Sequence, residues 1–570
     1  IYLLKTIFKI VKIDLQITHF RSPLLPICLG CVLGILFTDT FPTAHRYILP
    51  LLFVALSIAL FSYRTFKPIG ENNNVLIIGL EYCLILVVAM ITFSAYHSLR
   101  VQQATHAFDP NYPAAREIEL TVEIVQCMSL GSDEGQLFAI VIPLNDNLRR
   151  IQKNERIFVS TQSNETLIKH WKKGTQLVLV GLHRYFSHKD LKKPFYQRLS
   201  HKRIYSKITH IHSLKIIPCT YVRSTFFQKL NRQLQSILSL GAPQNTDTLN
   251  IYLAMLLGEK EQLLYEQKLR FMQTGTMHLF AVSGLHIGIM TLFIAQLLSC
   301  FRIPRTLVPL LTLPIIFIFI QALGCPPSAL RAFIMITIFW MSLFIKRQTN
   351  PFSALTFSAL IILCIDPWQI HSLGFQLSYT VVASILLLGL PLNQWTQSKC
   401  QFFVYLPKED WTLAHKVSAQ ISSILIMLFA ISFSAWIGSL AICLDVFGYV
   451  STSGIIANIL LIQIASLVIV TGMSSLILGL NYLSNLSEFL NHAAWLLLHF
   501  IDSALAFLQT LPFPVFESNT HQDISALWVI VPYFSALFLW HTFPKLLKGY
   551  TIWIPPLIVI LSTYILLLLQ

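Results

Sequence analysis

His278, Ser283 and His286 stand within nine residues of one another in the stretch GTMHLFAVSGLHIGIM, from Gly275 to Met290. A serine three residues before a histidine brings a hydroxyl and an imidazole within hydrogen-bond reach, the relation a nucleophile needs with its base. The same groups suit a polar lining, because such side chains at membrane depth face a bundle interior or a water-filled path. On an ideal helix the two histidines fall about 80° apart, with Ser283 across from His278. Gly284 and Gly288 form a G-x-x-x-G pair, which predicts close approach of a second helix.

Further along, Arg331 follows the Pro326-Pro327 pair at the start of an apolar run. A guanidinium costs about 2.5 to 3.5 kcal/mol at a bilayer centre. It offers a bidentate contact to phosphate, or it snorkels to the interface as an anchor. Gln376 and Ser378 are uncharged donors and acceptors suited to lining a pore or bridging helices, and Asn458 suits the freed backbone groups of a broken helix. Asp445 is placed to pair with a base or to be buried as a neutral acid. No Cys/His spacing suggests a metal, and no G-x-x-x-x-G-K-[ST] sequence occurs, so neither a metal nor a nucleotide cofactor is predicted.

The elements that position these residues are membrane spans. Hydrophobic residues make up 55% of the chain, charged residues only 12%, and the mean hydropathy is +0.64, far from a soluble domain. A span needs roughly 20 mostly apolar residues. Candidates lie near 23–40, 47–63, 75–95, 277–300, 306–323, 328–345, 351–366, 374–392, 418–444, 453–480, 489–509, 524–541 and 552–569. The fold class expected is therefore a polytopic α-helical membrane protein of about 10 to 13 spans. Residues 1–22 carry Lys5, Lys9, Lys12 and Arg21 and read as a cytoplasmic basic segment, with no cleavable leader expected. Three spans then place residues 97–275 outside the cytoplasm.

The external insert is basic and β-rich. Between Lys169 and Arg232 there are fifteen Lys and Arg against Asp190 alone, a local net of +14 in a chain whose total is +15. Trp171, Tyr185, Phe186, Phe195, Tyr196, Tyr205 and Tyr221 are interleaved with these cations. Lys172, Lys173, Arg184, Lys192, Lys193, Arg198, Lys202 and Arg203, with Tyr196, are the candidates for binding single-stranded nucleic acid, where cations meet phosphates and rings stack on bases. Anionic lipid headgroups fit the same charge. The runs EIELTVEIVQC, QLFAIVIP, ERIFVST and TQLVLVGL are short, β-branched and separated by turn residues, so a small barrel of the OB type or a sandwich is expected. Cys127 and Cys219 lie where an oxidising compartment lets them pair as a disulfide. LAMLLG, 253–258, reads as a short amphipathic helix ending in a turn.

Taken in order, LLGEK at 256–260, GTMHLFAVSGLHIGIM, PPSALRAFIM at 326–335, DPWQIHSLGFQLSYT at 366–380 and FGYVSTSGIIANILLI at 447–462 resemble the motifs of the ComEC family, inner-membrane channels of competence and DNA uptake. The resemblance runs from the first span to about residue 480. It implies residues 1–96 as a basic segment with three spans, 97–248 as an extracytoplasmic OB-like domain, 249–480 as a competence-type channel and 481–570 as further spans. It implies single-stranded DNA as cargo, an external DNA receptor, a cytoplasmic helicase-like ATPase as motor, contact with membrane lipids and a homo-oligomer. The form expected lacks a metallo-β-lactamase-like domain, since no H-x-H-x-D-H pattern occurs, so strand degradation falls to a separate nuclease. Two positions depart from the family pattern, Ala441 and Gln463, where prolines and helix breaks are expected.

Two other classes share some of these features. A transporter of an anionic lipid or polysaccharide also suits a basic external domain. An intramembrane serine protease suits Ser283 and His286, but Ala281 stands where G-x-S-G enzymes have glycine, no oxyanion-hole motif is evident, and a basic β-domain has no role there. The expectation is a channel and not an enzyme.

Overall fold

A computed structural model of the chain describes residues 24–40, 74–105, 116–128, 136–145, 156–162, 175–186, 196, 199, 204–216, 226–242, 246–259, 263, 265–280, 282–304, 306–345, 350–400, 410–511, 515–517, 526–542 and 549–568. The expected span at 47–63 and the basic segment 1–22 lie outside these residues. The chain divides into two compact units, one formed by 29–224 with 365–372, the other by the remaining residues.

The first unit holds a helix pair and a barrel. In α1 (Leu24–Thr40) and α2 (Asn74–Thr105), the backbones approach so closely at Gly34 that a Cβ there would stand 2.5 Å from the Met90 carbonyl oxygen. The Thr38 and Ser94 hydroxyls bond across the pair at 2.7 Å. Small residues at the contact and hydroxyls as glue are how helices associate in lipid. Five strands follow: β1 (Arg116–Met128), β2 (Gln136–Asn145), β3 (Arg156–Gln162), β4 (Gln176–Tyr185) and β5 (Ile204–Ile216). They close into a barrel in the order β1-β2-β3-β5-β4, antiparallel except where β3 runs parallel to β5. Alternate side chains fill it: Leu120, Val122 and Ile124 from β1, Ile157 and Val159 from β3, Leu177 and Leu179 from β4. That period of two is what a strand with one buried face imposes.

The helical unit contains α3 (Phe226–Leu238), α4 (Thr246–Leu257), α5 (Tyr265–Gln273), α6 (Gly284–Cys300), α7 (Leu307–Ala322), α8 (Pro327–Phe344), α9 (Pro351–Ile365), α10 (Leu373–Lys399), α11 (Leu413–Phe447), α12 (Ser453–Leu480), α13 (Ser484–Thr510), α14 (Leu527–Thr542) and α15 (Ile554–Leu568). Among the described residues, five helices are long and apolar enough to cross a membrane: Tyr82–Leu99 within α2, and α10 to α13. α6 to α9 are shorter apolar helices. The molecule is a multi-pass membrane protein with a β domain. α11 runs unbroken through Ala441 and α12 through Gln463, so the breaks expected from the family pattern do not occur there; instead α10 carries a π-helical turn at Ile385–Gly389.

The hairpin of α12 and α13 organises the helical core. Asn491, fully buried, accepts from Ser475 Oγ at 2.7 Å and from Tyr252 Oη at 3.2 Å, and donates to the Ile237 carbonyl at 2.9 Å. One amide thus joins α3, α4, α12 and α13. At Gly472 a Cβ would stand 2.4 Å from the Leu256 Cδ1 methyl, so glycine there leaves room for the α4 side chains against α12. Asn231 on α3 donates to the Ala322 carbonyl at 2.8 Å, satisfying one of the orphan acceptors at the end of α7. Past α11, β6 (Tyr449–Ser451) pairs with β7 (Val515–Glu517).

Candidate functional site

Two helix breaks meet in the helical unit. α4 ends at Leu257 because Gly258 takes φ +80°, a conformation that favours glycine. Residues 251–257 are all buried, so the helix is covered on every side and not amphipathic as its sequence suggested. The chain resumes as α5 and continues in the same direction along α13. Tyr252 meets Asn491, Arg270 Nη1 reaches Asp502 at 2.8 Å, and Gln509 Nε2 donates to Gln273 at 3.1 Å. From 491 to 509, at about 1.5 Å per residue, is roughly 27 Å, close to the thickness of a bilayer core. The segment 246–275 thus runs beside α13 over a length close to that depth, in two pieces with a break between them.

The second break is the opening motif itself. Gly275 turns with φ +69° against Gly454, whose Cα would lie 3.3 Å from a Cβ at Gly275. A single 3-10 turn follows at Met277–Phe280, and α6 begins only at Gly284. The expected continuous span 277–300 is thus interrupted, and His278 and His286 do not share a helix. A Cβ at Gly258 would meet Val282 Cγ2 at 3.3 Å, so the break after α4 touches the break before α6. Ser328 Oγ on α8 donates to the Val282 carbonyl at 2.6 Å and holds this turn from another side.

Ser283 and His286 form the start of α6. Ser283 Oγ lies 2.7 Å from His286 Nδ1, and the Ser283 amide donates to the same nitrogen at 3.4 Å. This is a capping box in which histidine takes the place usual for Glu or Gln. The device recurs at the head of α11, where Thr412 Oγ1 lies 3.1 Å from His415 Nδ1 and the Thr412 amide donates to it at 3.4 Å. The two differ in surroundings. His415 is half-buried at a helix head whose other groups are exposed, whereas His286 is 1% exposed, its ring faces the Leu279 carbonyl, and its Nε2 bonds no side chain among the described residues. In a Ser-His enzyme that nitrogen's counterpart is held by a third group orienting the base.

His278 is exposed, with Nδ1 3.1 Å from the Gly275 carbonyl. Arg331 does not snorkel: it is 4% exposed, Nη2 donates to the Gly374 carbonyl at 2.7 Å, and Nε has no partner among the described residues. Gln376 and Ser378 are half-buried on α10, near the Tyr379 hydroxyl that pairs with Ser358 at 3.1 Å. Asn458 sits one turn after Gly454 on α12 and its buried Oδ1 is likewise unpartnered among the described residues. Asp445 is exposed near the end of α11.

The G-x-x-x-G expectation is corrected. A Cβ at Gly284 would make only ordinary contact with Ala332 at 3.5 Å, and at Gly288 it would meet no described residue within 4 Å. Close approach is made at Gly472 and Gly275 instead. Asn491 carries no such mark in the sequence, because it stands among Asn485, Ser487, Glu488 and His492 at the polar start of its helix.

On the barrel, Arg184 is exposed on β4, opposite Lys207 of β5. Tyr196 is not a free stacking platform: it is half-buried edge-on to Phe186 at 4.9 Å, and its hydroxyl accepts from Lys207 Nζ at 2.8 Å. Lys172, Lys173, Lys192, Lys193, Arg198, Lys202 and Arg203 lie outside the described residues, as do Cys219 and the Cys127 side chain. Outside the spans, burial pushes the Cys325 thiol above its ordinary range in the turn between α7 and α8.

Several curated proteins resemble this chain. ComE operon protein 3 of Bacillus subtilis is 28% identical over 141 residues, 25% of this chain and 18% of that protein. Recombination protein 2 of Haemophilus influenzae is 24% identical over 400 residues, 68% of this chain and 45% of that protein. An uncharacterized protein of Aquifex aeolicus is 34% identical over 140 residues, 24% of this chain and 32% of that protein. The matched regions thus span less than half the length of each relative. No solved structure matches. The model of the Competence protein family matches residues 255–543, a stretch that takes in the α4 break, the α6 capping box, Arg331 and the α12–α13 hairpin, and the chain belongs to that family.

Proposed function

We propose that the chain internalises DNA in natural transformation, passing a single strand across the bacterial cytoplasmic membrane. The observation that carries the reading is the barrel's strand order. β1-β2-β3-β5-β4 with β3 parallel to β5 supports an OB-type barrel, a fold whose β4–β5 connection flanks the oligonucleotide groove. Here that connection is 186–203, the segment with Lys192, Lys193, Arg198, Lys202 and Arg203. The basic cluster and the groove loop are one stretch of chain. Relatives named for the ComE operon and for recombination support the same reading.

In this scheme the N-terminus is cytoplasmic, the barrel stands outside, and the helical unit carries the strand. An external DNA receptor delivers it, a cytoplasmic helicase-like ATPase draws it in, and a separate nuclease removes its complement. The chain acts as a channel and not as a hydrolase.

The test is uptake of labelled single-stranded DNA by the full chain in liposomes. Replacing Lys192, Lys193, Lys202 and Arg203 with Ser should weaken binding and flatten its salt dependence by as much as about 3 in log K per log salt, at roughly 0.7 per phosphate contact. Binding that ignores both salt and these substitutions refutes the nucleic-acid reading. Uptake of an anionic lipid or polysaccharide in place of DNA would select the other transporter class.

A further inference from the structure

We propose that α5 and one flank of α13 wall a water-filled groove through the membrane, and that the translocated strand travels along it. The groove rests on the multi-pass architecture; its cargo rests on the proposed uptake of DNA.

α13 packs back along α12, an apolar helix of 28 residues, and both are long enough to cross a membrane. Asn491, Trp495, Leu498 and Leu505 bury one side of α13 in the core. The outward side divides in two. At about 100° per residue, the exposed His492, His499, Ser503 and Thr510 fall on one flank within roughly 40° of arc. Phe489, Leu496, Phe500 and Phe507, also exposed, form a second flank roughly 60° further round. α5 stands on the polar side, because Asp502 and Gln509, which meet Arg270 and Gln273, lie beyond the polar flank and away from the phenylalanines. To that surface α5 adds exposed Glu266 and Gln273 and the Arg270–Asp502 pair, whose side chains are 31% and 41% exposed.

Depth decides what this surface meets. His499 stands two residues past Leu497, the middle of the 27 residues of α13. Ionisable and hydrogen-bonding groups at such depth face a bundle interior or water and not acyl chains. A spanning helix with an aromatic flank beside a polar one therefore marks a border between lipid and water. Arg270 is already balanced by Asp502, so a polyanion passing it meets donors and acceptors without being held, the weak contact that conduction needs.

α13 contains no native cysteine, so a labelled α13 peptide reports an introduced one. Single cysteines replace His499 or Ser503 on the polar flank and Phe500 or Phe507 on the other, in the full chain in vesicles treated with a charged, membrane-impermeant maleimide. The thiolate reacts and forms in water, so His499→Cys and Ser503→Cys should label on the order of tenfold faster than Phe500→Cys and Phe507→Cys. Hydroxyl-radical footprinting of the unmodified chain in nanodiscs needs no variant and should mark His492 and His499 while sparing Phe500 and Phe507. Equal reaction on the two flanks, or a polar flank silent in both measurements, overturns the groove. Oxidative pairing of Ser503→Cys between two chains would give the face to a second copy and overturn it as well. The charged adduct on Ser503→Cys should cut uptake of labelled single-stranded DNA severalfold, whereas the same treatment of Phe500→Cys leaves uptake as it was. Unchanged uptake by labelled Ser503→Cys refutes passage of the strand along the groove. Failure of the untreated wild type to take up DNA refutes the transport reading and not the groove, which labelling alone decides.

Discussion

A single imidazole shows how far one residue type underdetermines its role. His286 and His415 both meet a hydroxyl and an amide three residues earlier, but the Thr412 hydroxyl also accepts from the His415 amide, and His286 is far more buried. Ser283→Ala removes a helix cap worth about 1 kcal/mol. Import should fall modestly while insertion is normal; complete loss in a correctly inserted protein would bring back the hydrolytic reading. Asn491→Ala should be more damaging, since it takes the partner of Tyr252 and of the Ile237 carbonyl, while Ser475 keeps Ser487, at about 1 to 3 kcal/mol for a buried group left unpaired. A clear drop in thermal midpoint in detergent is the expected result, and an unchanged midpoint would show that the amide does not hold the four helices together.

Individual elements were legible wherever local pattern and tertiary role agreed. The apolar run 453–480 is α12 to the residue, because a long helix apolar on all sides is marked by hydrophobicity alone. Four barrel strands stand out as β-branched runs. The fifth, IYSKITHIHSLKI, is hidden by its own lysines and histidines, which interrupt the β-branched run. The crossing made by α4 and α5 is hidden differently: YEQKLRFMQ is polar, so no 20-residue apolar window covers it, and its course is set by Asn491, Asp502 and Gln509 on another helix. The G-x-x-x-G pair misled in the opposite direction, since glycine spacing says what is permitted and not which neighbour arrives. The two-piece crossing predicts sidedness. Cysteines at exposed Ser236 and Gln273 should react with a membrane-impermeant maleimide from opposite faces of oriented vesicles. Labelling of both from one face would reduce the segment to a re-entrant loop.

At the scale of the whole molecule, the polar groups that the sequence marked as functional did not gather into one cluster. Ser283 and His286 sit at the junction of breaks, Arg331 turns toward the head of α10, and Asn458 lies on α12 below Gly454. What joins them is packing: α6 touches α7, α8 and α12. Such convergence depends on contacts between residues more than a hundred positions apart, which one sequence cannot display.

The short pairing of β6 with β7 has a mechanical meaning. Tyr449 to Ser451 precede α12 and Val515 to Glu517 follow α13, so the hairpin's two free ends are tied to each other. A helical hairpin open at one end can splay like tongs; one fastened at both ends behaves as a strut. Force applied to a strand moving along it would be shared by both helices and passed to α11 and α14. Cross-linking the register partners Val450 and Phe516 through a pair of introduced cysteines should therefore leave transport intact, because it fixes a distance that the working cycle never changes.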